Sequence, residues 1–266
     1  MRRIFFLVFA LAAANLTLFS FAAAPPGQQP SSSAPLATAP QPAQSNYTVA
    51  AVVLDPAHGG VDAGAKGPTG AVESDIVLAF ARAIRVALEG QGVRTLLTRE
   101  GNEDPTMDSR SSVANSLRGA VFISLHVSST GPIGTARTYW YAFPGDPGPV
   151  AGANSSLSSA PPQRGLVSWD RAQQAFLNPS RHLAELVQIQ LAQKFKGSAE
   201  TPSPAAVLQL RTIAAPAIAI EVSSVAVPNA QQLVEMARPL ADAVTRALVD
   251  FRSQPGGASG APAGAH

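Results

Sequence analysis

AVVLDPAHGG, residues 51–60, decides the reading of this chain. Six consecutive apolar residues after Thr48 (Val49 to Leu54), followed by Asp55, form a short unbroken run. Such a run suits a strand buried on both faces, the pattern of parallel sheets. It stops at Pro56 and is followed by His58 and a glycine pair. The strand therefore delivers an imidazole at its carboxyl end, with Gly59 and Gly60 able to take a sharp turn there.

Strand and helix signals alternate outward from this point. Ser74–Gly90 carries Ile76, Phe80, Ile84 and Leu88 at helical spacing, with Gly90 and Gly92 as the stop. VRTLLT (93–98) reads as a strand, Met107–Leu117 as a helix and AVFISL (120–125) as a second buried strand. TARTYWYAF (135–143) alternates and ends at Pro144, so it belongs nearer the sheet edge. Helix Pro179–Lys196, strand AIAIEV (217–222) and an amphipathic helix Asn229–Phe251 complete the series. This alternation predicts a single α/β domain with a central, mostly parallel or mixed β-sheet flanked by helices on both faces.

In such sheets sites collect at the carboxyl ends of the strands. Asp55 and His58 fall there after the first strand, His126 after the strand at 120–125, and Glu221 near the end of the strand at 217–222. Glu73 opens the first long helix. Each has an ordinary reading. A histidine after a strand packs or faces water, Glu73 complements the helix dipole, Glu221 pairs with an arginine, and Asp55 caps a turn. Taken together, the types suit a catalytic zinc site: two imidazoles and a carboxylate leave one position open, and a further carboxylate shuttles protons. Asp55 is then a candidate to orient His58 from behind.

The same residues carry a resemblance. DPAHGGVDAG (55–64), Glu73 in AVESDIVLAF, LLTRE (96–100), MDSRSSVAN (107–115), VFISLHVSS (121–129) and AIAIEVSS (217–224), in this order, resemble the zinc-dependent, autolysin-type N-acetylmuramoyl-L-alanine amidases over residues 50 to 250. The resemblance implies a Zn2+ cofactor held by His58, Glu73 and His126, with Glu221 as the catalytic glutamate. It also implies peptidoglycan as substrate, cut between the lactyl group of N-acetylmuramic acid and L-alanine. Two rivals stay open: a zinc peptidase acting on another stem-peptide amide, and a non-catalytic wall-binding protein on the same fold. The chain departs from the family pattern at Ala57, where glycine is usual, in HVSS (126–129) and in EVSSVAVPN (221–229). Some members insert a helix that blocks the zinc. The stretch from Phe143 to Pro179 is short and rich in Gly, Pro and Ser, and no such plug is expected.

Composition bounds the rest. The chain has 266 residues, 46% of them apolar, enough for one sizeable core. There is no cysteine, which excludes thiolate metal sites and a cysteine nucleophile. Of 19 Lys and Arg, Arg2 and Arg3 adjoin an apolar run; the remaining 17 balance 17 Asp and Glu, leaving no nucleic-acid footprint. Residues 1–24 read as a secretory signal peptide or an uncleaved N-terminal anchor, so the rest is expected to be exported to the periplasm or cell envelope, with a membrane tether in the second case. Residues 25–46, rich in Pro, Ser and Ala, read as a disordered linker, 47–252 as the catalytic domain and 253–266 as a disordered tail. Arg110 and Asn115 are expected to hold the fold, and His182 to lie at the surface. Tyr139, Trp140, Tyr141 and Trp169 are left between substrate contact and core.

Overall fold

The computed structural model describes residues 47–143 and 168–253. The segments assigned above to signal or anchor and linker, the tail beyond Ser253, and the stretch 144–167 of the Gly/Pro/Ser-rich region lie outside the described residues. Among the described residues no helix is long and apolar enough to cross a membrane.

The strands are β1 (Ala51–Pro56), β2 (Arg94–Leu97), β3 (Ala120–Ser128), β4 (Thr135–Tyr141), β5 (Ser203–Ala205) and β6 (Ala217–Ser223). They form one mixed sheet in the order β2-β1-β3-β6-β4-β5. The first four in that order are parallel; β4 runs antiparallel to β6, and β5 parallel to β4. The helices are α1 (Glu73–Glu89), α2 (Met107–Asn115), α3 (Leu177–Lys194), α4 (Leu208–Arg211), α5 (Gln231–Glu235) and α6 (Ala237–Ser253), and a 3₁₀ segment, Trp169–Phe176, runs into α3.

The two faces of the sheet are unequally covered, and this positions the site. Side chains alternate between faces along a strand. Val121, Ile123, Leu125 and Val127 of β3, with Ile218, Ile220 and Val222 of β6, pack into the larger core against α1, α3 and α6. There Ile76, Phe80, Ile84 and Leu88 of α1 are all buried, as their spacing requires. Each such burial contributes on the order of 1.5–3 kcal/mol. The opposite face holds a smaller core, in which Val53, Phe122, Ala217 and Ala219 meet Ala114, Leu210 and Ile213. Its cover, the nine residues of α2, the four of α4 and the 3₁₀ segment, is short. Further along the same face each parallel strand turns polar: Val53 gives way to Asp55, Phe122 to Ser124 and His126, Ala219 to Glu221. The uncovered carboxyl ends of β3 and β6 therefore present polar groups.

Several elements differ from the sequence expectation. The helix expected over Asn229–Phe251 is two, α5 and α6, broken at Met236. Pro239 cannot donate to the carbonyl four residues back and clashes with it, so a continuous helix is disfavoured; in the first turn of α6 it is tolerated. The strand at 135 does lie toward the sheet edge, one position in, with the unexpected β5 outside it. Three residues containing Pro204 carry no strand signal, and an edge position accepts the proline.

Candidate metal centre

Three elements bring His58, Glu73 and His126 together, and their donor atoms lie within 4.8 Å of one another. His58 follows β1 with φ of 61°, the single non-glycine residue at positive φ among the described residues. The left-handed conformation costs an L-residue about 1–2 kcal/mol. Two buried arginines hold the loop in it. Arg99 donates to the carbonyls of Pro56, Ala57, Ser74 and Gly101; Arg110 donates to the Asp55 carboxylate and to the carbonyls of Pro56 and His58. Arg110 thus holds the fold, as does Asn115, which bonds Thr212 and Ala214.

Glu73 is the fixed point of the cluster. Its carboxylate is 6% exposed, at the first residue of α1. Oε1 accepts from the Val127 N–H at 2.9 Å and faces His126 Nδ1 at 3.2 Å; Oε2 accepts from the Ala65 N–H at 2.8 Å and faces His58 Nε2 at 3.3 Å. Burial alone would raise this carboxyl, but the bonds from His126, Ala65 and Val127 outweigh it and hold it below the usual range. The imidazole planes of His58 and His126 stand at 89° with centroids 5.6 Å apart. Gly64 closes the cluster from outside. A Cβ there would lie 2.6 Å from both Glu73 Oε2 and His58 Cδ2, so no larger residue fits.

The donor set suits a small ion with nitrogen and oxygen ligands. His58 Nε2 lies 3.3 Å from Glu73 Oε2 and His126 Nδ1 lies 3.2 Å from Glu73 Oε1. The donors are nitrogen and oxygen, three in number, beside open space.

Glu221 stands next to them. In the parallel pairing of β3 with β6 its Cα partner is His126, so both side chains share one face. It lines a cavity of about 560 Å³ together with His58, Glu73, His126 and Tyr139. The Tyr139 hydroxyl donates to Glu221 Oε2 at 2.8 Å.

Asp55 is not where it was expected to act. It makes no bond to His58. Its carboxylate accepts from Thr98, Arg110 and Ser124, and it approaches a candidate ligand only through the Ser124 hydroxyl, 3.4 Å from His126 Nε2. As a β1 residue it faces the β3 neighbour in register, which is Ser124, while the chain turns away before His58. The carboxylate on His58 is Asp62, with Oδ2 2.7 Å from Nδ1. That bond, and the Gly64 N–H, hold the Asp62 carboxyl below its usual range. The signal was present in HGGVD: a carboxylate four residues after the histidine, across a turn closed by the Gly59–Asp62 bridge. His182 also differs. It is half-buried, its ring 5.8 Å from that of Phe251. Of the aromatics, Tyr141 is core, Trp140 packs against the core, Trp169 is exposed, and Tyr139 reaches the cavity.

The N-acetylmuramoyl-L-alanine amidase family model matches residues 52–250, which takes in the whole cluster, Glu221 and all of the sheet but Ala51. The chain belongs to this amidase family. Over 75 residues it is 40% identical to the N-acetylmuramoyl-L-alanine amidase AmiA of Escherichia coli (strain K12), covering 28% of this chain and 26% of that one. Over 110 residues it is 34% identical to the sporulation-specific N-acetylmuramoyl-L-alanine amidase of Bacillus subtilis (strain 168), covering 41% and 42%. The matched stretches thus span about a quarter to two fifths of these curated relatives. Among solved structures, N-acetylmuramoyl-L-alanine amidase AmiC2 of Nostoc punctiforme superposes with a TM-score of 0.55 at 21% identity, over 79% of this chain and 100% of that one. That likeness is one of fold. It agrees with the single α/β domain of this amidase-family chain.

Proposed function

We propose that this amidase-family chain is a zinc-dependent hydrolase that cleaves the amide between N-acetylmuramic acid and L-alanine in peptidoglycan. The observation that carries the reading is the placement of Glu221 in register with His126, lining the same cavity as His58, Glu73 and His126. We assign His58 Nε2, Glu73 and His126 Nδ1 as the metal ligands and Glu221 as the proton-transfer group. A zinc ion there supplies Lewis-acid polarisation of a carbonyl and acidification of water.

The chain's own residues do the rest. Glu73 brings negative charge to the cluster, and its two backbone bonds hold both oxygens in place. Asp62 fixes the His58 tautomer, with the proton on Nδ1 and the lone pair on Nε2. Glu221 takes a proton from the attacking water and returns it to the leaving L-alanine nitrogen, so the products are a lactyl carboxylate and a free stem peptide. The cavity is also lined by Ser128, Ser129 and Thr130.

We assign residues 47–252 as the catalytic domain, 1–24 as signal or anchor and 25–46 as linker. The basic-then-apolar composition of residues 1–24 supports delivery to the periplasm or cell envelope. The test is digestion of purified cell wall by zinc-loaded protein with mass analysis of the products. New L-alanine amino termini and lactyl carboxylates are expected. New amino termini on any other stem residue would make it a zinc peptidase instead, and absence of hydrolysis with metal bound would make it a binding protein.

A further inference from the structure

The Glu221 carboxylate has one hydrogen-bonding partner among the described residues, the Tyr139 hydroxyl. The bond is 2.8 Å long, and both residues are held in the sheet. Tyr139 is paired on one side with Ala219 of β6 and on the other with Ser203 of β5. Its ring packs against the smaller core, so the hydroxyl emerges where that core ends and the cavity begins. The cation that could compete is Arg137, the Cα partner of Glu221 across the antiparallel pair. Its guanidinium is turned away to Ser203 Oγ, at 2.9 Å.

The chemistry of a glutamate makes this arrangement consequential. The terminal torsion of Glu is broad and nearly two-fold, so an unheld carboxylate rotates and offers either oxygen. A donor on Oε2 stops that rotation and leaves Oε1 to face the reacting atoms. We infer that Tyr139 is a positioning residue that fixes the Glu221 carboxylate for proton transfer. The inference rests on the assignment of Glu221 made above. It is supported by the state of the phenol. Burial, then the bond to Glu221 and its charge, push the Tyr139 hydroxyl up to about 12, so it is a neutral donor throughout the working pH range. Tyr139 sits in none of the stretches that carry the family resemblance, so its part is visible only in the fold.

The experiment compares full-chain, zinc-loaded Tyr139→Phe, Glu221→Gln and the double variant with wild type on purified cell wall. Phenylalanine keeps the ring and its packing, and zinc content with thermal melting confirms a folded, loaded protein in each case. Tyr139→Phe is expected to lower kcat about 10- to 100-fold, what loss of a hydrogen bond to a charged group amounts to, with KM changed less than about 3-fold. In the Glu221→Gln background the same change is expected to do nothing further, because the carboxylate it serves is gone. Unchanged kcat in Tyr139→Phe, beside a strong loss in Glu221→Gln, would overturn the inference. So would an equal loss in both backgrounds, which would mean that the hydroxyl acts on something else, and so would a Tyr139→Phe protein that fails to fold or load, since the hydroxyl would then be structural. Full activity in Glu221→Gln itself would instead remove the assignment on which the inference stands.

Discussion

Asp62 Oδ2 lies 2.7 Å from His58 Nδ1, on the far side of the imidazole from Glu73. This pairs a candidate ligand with an outer carboxylate that fixes its tautomer and raises its basicity. Asp62→Ala is expected to weaken zinc binding about 10- to 100-fold, the usual consequence of losing such a partner. Competition with a chromophoric chelator measures it. An unchanged affinity would mean that the turn alone orients His58.

Asp55 should behave oppositely. Its carboxylate neutralises Arg110 at 2.8 Å where both side chains are all but inaccessible. Asp55→Ala leaves the buried guanidinium with only the more distant, exposed Asp104 carboxylate at 3.8 Å, which costs up to about 3–5 kcal/mol. Urea unfolding of the metal-free protein reports that cost. A loss below about 1 kcal/mol would show that Asp104 and the loop carbonyls of Pro56, His58 and Pro105 suffice for Arg110.

Two glycines separate strain from site. Gly64→Ala puts a Cβ 2.6 Å from Glu73 Oε2, whereas at Gly70 nothing lies within 4 Å. Both have positive φ, so both substitutions carry about 1–2 kcal/mol of backbone strain. Only Gly64→Ala is expected to abolish zinc binding, read as metal content after dialysis. Equal effects of the two would mean that strain rather than crowding governs the loop.

The alkaline limb of stability belongs partly to Tyr47. Its hydroxyl donates to the Ala120 carbonyl, and burial pushes its pKa from 10.0 up to about 12. Below pH 10 the phenol is protonated in both folded and unfolded chains and its contribution is complete. Between pH 10 and 12 only the unfolded chain gives up its proton, so stability falls as pH rises. Urea midpoints across that window should fall less steeply in Tyr47→Phe than in wild type. Identical slopes would assign the limb elsewhere.

The sequence makes these features legible to different depths. β1, α1, β3 and β6 are readable because each buries a continuous or helically spaced apolar set, and His58, Glu73, His126 and Glu221 because they sit at the ends of those elements. What depends on lateral neighbours is not readable. Asp55 precedes His58 by three residues, yet its partners are Thr98, Arg110 and Ser124, chosen by strand register. Tyr139 looks like one of three adjacent aromatics until pairing with β6 sets it beside Glu221. β5 is too short to leave a pattern, and the α5–α6 break turns on one proline whose tolerance depends on where the helix starts.

The central claim is that one zinc ion in the His58–Glu73–His126 cluster, working beside Glu221, makes this chain an amidase. Its most direct test is titration of chelator-stripped full-chain protein with zinc, following release of L-alanine amino termini from purified cell wall. Activity should rise from near zero and saturate at one equivalent, and His126→Ala should neither retain zinc nor recover activity. Full activity in the stripped protein, or a His126→Ala variant as active as wild type, would contradict it.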